Sequence, residues 1–299
     1  MTVAACTKGQ FGGRSPAPNP PRDILIKMQE MSLFWLRVAA ALYASGLIYV
    51  ADFLLRKTAT LYRPALFTFS IAAVFHFVAI VEQSMINGHL AAQDFHQTVT
   101  LLALVLAIVF LVVNWIYDFP SLGLIAFPMV AMLTLLGTTS KSLGPWPNSG
   151  LRDAWLLVHV LLNIGGFTST LFMALASVFY LVQENHLKSK QPSKFFHRLP
   201  PLHTLDQLAS RAMIAGFVFT TLGVIAGSGW AYMESGTRWI GEGKVHISLF
   251  TWCFYLAVVF LRTNAGWRGR RAAFLAFYVL LFSTLTWVSH TGLRPLLAK

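Results

Sequence analysis

The chain has 299 residues, of which 56% are hydrophobic and only 11% charged, with a net charge of +12. So much apolar surface excludes an ordinary soluble domain, as does a mean hydropathy of +0.61. The basic excess does not point to a nucleic-acid partner, because the cations sit in loops between apolar runs and form no stripe interleaved with polar aromatics.

Residues 1–31 contain TKGQFGGRSPAPNPPRD, which is rich in Gly and Pro and has neither periodicity nor a signal-peptide core. A disordered tail is expected there. Eight apolar runs follow, at 32–55, 64–86, 95–117, 119–138, 154–184, 209–233, 244–262 and 271–291. Each approaches the roughly 20 residues that a helix needs to cross a bilayer. The fold class expected is therefore all-α: a polytopic membrane helix bundle of about eight transmembrane helices. The third and fourth runs are separated only by Asp118 and Phe119 before Pro120, so a tight turn and a kink in one longer segment both fit.

Eight spans place Arg56, Lys57, Arg63, Lys188, Lys190, Lys194, Arg198, Arg262, Arg268, Arg270 and Arg271 at one face. The shorter set Lys141, Arg152, Arg238, Lys244, Arg294 and Lys299 falls at the other. The more basic face is expected to be cytoplasmic. The Trp-rich loop between the sixth and seventh runs, and both termini, then lie outside a bacterial-type inner (plasma) membrane. Gly223 and Gly227 form a G-x-x-x-G pair in the sixth run, two turns beyond Gly216, and Gly165 and Gly166 sit in the fifth. Close helix packing is the expected use of all five. No sequence repeat indicates an inverted-repeat transporter.

Two cysteines, Cys6 and Cys253, with no C-x-x-C, give no basis for thiol chemistry or structural zinc. There is no G-x-S-x-G, no H-E-x-x-H and no phosphate-binding Gly loop, and GEG at 241–243 lacks the spacing of a nucleotide fingerprint. A non-enzymatic protein is expected. The histidines carry more information. His89, His96, His159, His246 and His290 fall near the outer face, His186, His197 and His203 in a cytoplasmic loop, and His76 mid-span.

His159 lies about one and a half turns into the fifth run, with Asn163 four residues on and on the same helical face. Such an imidazole either ligates a metal through one nitrogen while the other is held, or hydrogen-bonds a neighbouring helix. His290 closes the eighth run at the same outer level. Two helices each bringing one His to one depth is the arrangement that bis-His haem ligation needs. His159 and His290 are therefore the candidate axial metal ligands, and His246 is a competitor. Trp230, Trp239 and Trp252 offer flat surface for a porphyrin, and Arg238, Lys244 or Arg152 offer cations for its propionates. His76 and Glu82 can form a separate polar site, for which a structural hydrogen bond is the simpler expectation.

Three stretches, in order and spacing, carry a family resemblance. They are WLLVHVLLNIGGFTSTLFMALASVFYLVQENHLK at 155–188, leading into LPPLHTLDQLASRAMIAGFVFTTLGVIAGSGWA at 199–231, then the Trp loop, and GWRGRRAA at 266–273. From residue 32 to the end, the chain resembles the cytochrome c assembly membrane proteins of the CcsA type, most closely their HemX-like, uncharacterised inner-membrane branch. The resemblance implies one transmembrane domain over 32–299 that handles haem at the outer face and assists cytochrome c assembly. The partners it implies are haem, apocytochrome c, an assembly partner subunit and the lipid bilayer, with no nucleic acid. The family's external His ligand falls on His159. Its Trp motif, G-x-x-W-x-W-D-P-K-E-x-W with a further Trp five residues on, aligns on Gly236 and retains Trp239, an acid at Glu242, Lys244 and Trp252. Gly241, Gly243, Val245 and Ile247 replace the second Trp, the Pro, the Glu and the third Trp. The family's His before GWRG is Phe260 here, and its C-terminal G-L-H-S-like ligand is missing, so the role of His290 rests on its position alone. These departures keep open a HemX-like regulator or scaffold of haem biosynthesis, acting through its basic loops. An accessory to ion transport is a third reading.

Overall fold

The computed structural model describes residues 22–56, 61–87, 95–139, 150–189 and 200–291. The tail at 1–21, together with His89, His197, Lys57, Lys141, Lys190, Lys194, Arg198, Arg294 and Lys299, lies outside them, as do the side chains of Arg56 and Arg152. The described residues form eight long helices, joined in two places by a single turn of 3-10 helix, and no strand. They are α1 (Arg22–Arg56), α2 (Tyr62–Asn87), α3 (Phe95–Tyr117), α4 (Gly123–Gly137), α5 (Gly150–Ser189), α6 (Leu202–Ser235), α7 (Gly243–Thr263) and α8 (Arg270–Thr291). Each provides a stretch long and apolar enough to cross a membrane, the fourth counted from the 3-10 turn at Pro120.

Three boundaries differ from the sequence expectation, each for a local reason. α1 begins at Arg22, ten residues before the first apolar run, because RDILIKMQE contains no helix breaker. α6 begins at Leu202, since Pro201 sets the chain direction just before its first turn, and Leu205 and Leu208 are buried. α5 runs for 40 residues, about 60 Å, and so projects beyond a hydrocarbon core of about 30 Å. The ambiguous junction after the third run is a reversal: Asp118 takes φ 43, Phe119 is buried and Pro120–Leu122 forms a 3-10 turn. Asp is among the few residues with a side chain that accept the left-handed region.

Two groups of four helices result. In the N-terminal group α1 packs on α2 and α4, and α3 packs on α4 and α2. In the C-terminal group α5 packs along α6 and α8, and α7 packs on α8 and α6. The described contact of α3 with α5 joins them. The N-terminal core is aromatic: the fully buried Phe127 meets Tyr49, Phe69 and Phe110 edge-on or tilted, at 5.0–5.7 Å between ring centres. Tyr62 donates to the Asn114 side chain across the same core.

Candidate functional site

The α5–α6 interface is built from paired registers. α6 presents Gly216, Gly223 and Gly227 to α5, and α5 answers with a larger side chain opposite each. Gly216 faces Thr170 and the Tyr255 hydroxyl, Gly223 faces Asn163, and Gly227 faces His159. A methyl group at Gly227 would lie 2.6 Å from His159 Nδ1 and closer still to Cε1. The glycines therefore do more than let two backbones approach: they form a notch that seats an imidazole and an amide. One turn further on, the Trp155 indole N–H donates to the Ala226 carbonyl at 2.6 Å, and its ring covers Gly229.

Hydrogen bonding fixes the tautomer of His159. Its Nδ1 lies 2.8 Å from the Gly223 carbonyl, which only accepts, so Nδ1 carries the proton and Nε2 keeps its lone pair. Asn163 steadies the ring's surroundings by donating from Nδ2 to the His159 carbonyl at 2.7 Å. His290 repeats the pattern at the end of α8. Its Nδ1 lies 3.0 Å from the Thr286 carbonyl, which again leaves Nε2 as the free nitrogen. The two imidazoles stand within electrostatic range of each other. His290 is likewise within range of Lys244 and Glu242 at the start of α7.

The 3-10 turn Arg238–Gly241 bridges α6 and α7 above this group. Trp239 in that turn and Trp230 near the end of α6 are half-buried, and each has an indole N–H shielded from solvent with no hydrogen-bond partner among the described residues. Trp230 lies three residues past Gly227, on the α6 face that receives His159. A shielded, unpaired donor is costly, and this end of the C-terminal helices carries two of them. Arg238 is exposed with no ion-pair partner among the described residues, whereas Lys244 pairs with Glu242 at 2.7 Å. His246 is exposed in the first turn of α7, its Nδ1 3.1 Å from the Glu242 carbonyl.

Trp252 packs between helices. More than two turns into α7, it stacks on Phe217 at 6.1 Å and donates to Thr221 at 2.9 Å, a helix-packing position. His76 is fully buried beside the Thr100 backbone, 5.9 Å from the Tyr43 ring, with no well-formed hydrogen bond at either nitrogen. No bond joins it to Glu82, so the hydrogen bond expected between them is not made. Among the described residues no group of three or more His, Cys, Asp or Glu is placed to hold a metal ion, so a metal here would need a scaffold that supplies its other ligands. A porphyrin supplies four.

The model of the family described as cytochrome C assembly protein matches residues 58–293, from the end of α1 to the end of α8. The chain belongs to the cytochrome c assembly protein family. Among its relatives is the cytochrome c biogenesis protein CcsA of Prochlorococcus marinus strain MIT 9312, 29% identical over 214 residues, or 64% of this chain and 69% of the relative. The CcsA of P. marinus subsp. pastoris is 27% identical over 237 residues, 68% and 73% of the two chains, and that of Welwitschia mirabilis 27% over 167 residues, 49% and 54%. The whole family match lies after α1, and the four helices that carry the histidine and Trp groups fall inside it. The sequence held one unused signal for the notch. H-x-x-x-N at 159–163 and G-x-x-x-G at 223–227 have the same i, i+4 spacing and belong to neighbouring antiparallel helices.

Proposed function

We propose that this protein binds haem at the Trp-loop end of its C-terminal helices and assists cytochrome c biogenesis, the role stated in the names of its CcsA relatives. The observation that carries the proposal is the pair of histidines from α5 and α8 whose Nδ1 atoms are tied to backbone carbonyls, which leaves each Nε2 its lone pair, met at His159 only by the Asn163 amide at 3.4 Å. His159 and His290 would hold a bound haem through imidazole nitrogen, a ligand that its iron accepts. His159, held by Gly223 and set in its glycine notch, is the more rigid candidate ligand, and the exposed His290 is the more adaptable one. Backbone acceptors at Nδ1 fix the tautomer and raise ligand basicity, as partners of metal-bound histidines generally do. Trp230 and Trp239 supply ring surface and two unpaired N–H groups, and Arg238 with Lys244 supplies cations for propionates. His246 competes with His290. By the positive-inside rule this end faces outward from a bacterial-type inner membrane, where an apocytochrome c and a partner subunit would meet it.

A second reading, a HemX-like regulator or scaffold of haem biosynthesis, is favoured by one observation: Gly241 and Ile247 stand where the family's motif has indoles. Absorption spectra of the detergent-purified protein, oxidised and dithionite-reduced, separate the two. A low-spin haem spectrum that His159→Ala and His290→Ala each abolish is the expected result. A folded protein that carries no haem after haem-replete expression overturns the binding site and leaves the regulator.

A further inference from the structure

The opposite end of the molecule carries a second concentration of charge. After Thr263 the chain returns into α8 through residues 264–269, with φ of 68° at Gly266 and 64° at Gly269. Both angles suit glycine, and at Gly269 an added methyl would also lie 3.0 Å from the Tyr180 hydroxyl. The Trp267 N–H donates to the Leu261 carbonyl at 3.1 Å, which closes the loop back on α7. In this shape Trp267 is half-buried, while Arg268, Arg270 and Arg271 are exposed.

Two of these guanidinium groups rest on rings. Arg270 is 5.6 Å from the centre of Phe274 and Arg271 is 5.8 Å from that of Trp267, which occupies their faces and leaves their N–H edges free. The nearby carboxylates are already engaged, Asp206 by Arg262 at 2.6 Å and Glu184 by Lys188 at 2.7 Å. Among the described residues no carboxylate pairs with Arg268, Arg270 or Arg271. Below the arginines an exposed apolar stripe descends α8 through Phe274, Tyr278, Leu281 and Leu285, spaced by four, three and four residues. Cations, an interfacial indole and an apolar track thus follow one another along a single helix edge.

We propose that Arg268, Arg270 and Arg271 bind the phosphate of an anionic phospholipid whose acyl chain lies along the Phe274–Leu285 stripe. Arginine edges match phosphate oxygens in pairs, and Trp267 marks headgroup depth. The stripe favours a lipid over an acidic protein segment, because a single occupant then satisfies both the charge and the apolar track.

The test uses the full chain in phosphatidylcholine bilayers doped with spin-labelled phosphatidylglycerol or, separately, spin-labelled phosphatidylcholine, comparing the fraction of each probe held at the protein surface. The wild type is expected to retain the anionic probe preferentially. The triple variant R268Q/R270Q/R271Q is expected to lose about fivefold or more of that preference, given the attraction of each basic residue near an anionic surface. Each single substitution should lose part of it, which covers the case of a misfolded triple variant. Arg211→Gln, which removes a cation of the same end that is engaged by the Tyr117 hydroxyl, should leave the preference intact. A folded triple variant with undiminished preference overturns the proposal, as does an equal loss in Arg211→Gln. Equal retention of both probes by the wild type also overturns it and makes an acidic protein segment the occupant to seek.

Discussion

Helices α1 to α4 close around a nest of aromatic rings, whereas α5 and α6 close around a row of glycines. In the most apolar windows of α3 and α4, 61% and 50% of residues are buried, but only 17% and 22% in those of α7 and α8. The first group spends its side chains on one another. The second keeps its mass thin around α7 and α8 and places its polar groups, His159, Asn163 and His290, next to unfilled backbone or near the membrane surface. In a bilayer, where lipid tails are as apolar as leucine, helices associate through packing and polar contacts and gain little from apolar burial. Aromatic interlock and glycine notches are two ways to obtain that packing, and only the notch leaves room for a functional side chain.

The largest effect expected is in the aromatic group. Phe127→Ala removes the ring that touches Tyr49, Phe69 and Phe110. A cost on the order of 2 kcal/mol is expected, below the range for soluble cores because the unfolded reference remains in lipid. Thermal unfolding in detergent measures it. If the groups divide labour as described, the folded fraction keeps its haem spectrum, and a loss of haem in proportion to stability would break the division.

Gly227→Ala sharpens the other side. The added methyl would lie 2.6 Å from the His159 Nδ1, so either the imidazole or α6 must move. A cost of about 1–2 kcal/mol is expected, with the haem spectrum altered more than the melting temperature. Gly243→Ala supplies the contrast, since nothing lies within 4 Å of its would-be methyl. It should change neither reading.

The division itself was only half visible in the sequence. Span number, the all-α class and the basic loops follow from hydropathy and charge, because those signals are summed over 20 residues and tolerate local error. His159 stood out because an imidazole at depth is costly and demands a partner. That its partner would be the carbonyl of Gly223, freed by a missing side chain, could not be read from α5 alone. It needs the register between α5 and α6, which is a tertiary fact. Trp252 shows what helical phase adds: indoles close in sequence to a loop look alike, yet this one is turned toward Phe217 and Thr221 by the phase of α7. The phase of α7 separates it from Trp239, which precedes that helix in a 3-10 turn, although both belong to the same Trp-rich stretch.

That difference in phase gives the smallest and most discriminating effect. Trp252→Phe keeps a ring against Phe217 and removes one interhelical hydrogen bond to Thr221, which in a membrane is worth about 0.6 kcal/mol. Trp239→Phe removes an indole N–H that has no partner among the described residues, so it should cost no stability in the haem-free protein and can even relieve an unpaired donor. Haem binding should respond in the opposite order, unchanged in Trp252→Phe and weakened in Trp239→Phe. Melting curves of the haem-free variants, set beside haem titrations of the same samples, read both effects. If Trp252→Phe lost haem affinity while Trp239→Phe kept it, the porphyrin surface would have to lie between α6 and α7, and the notch around His159 would be a packing device alone.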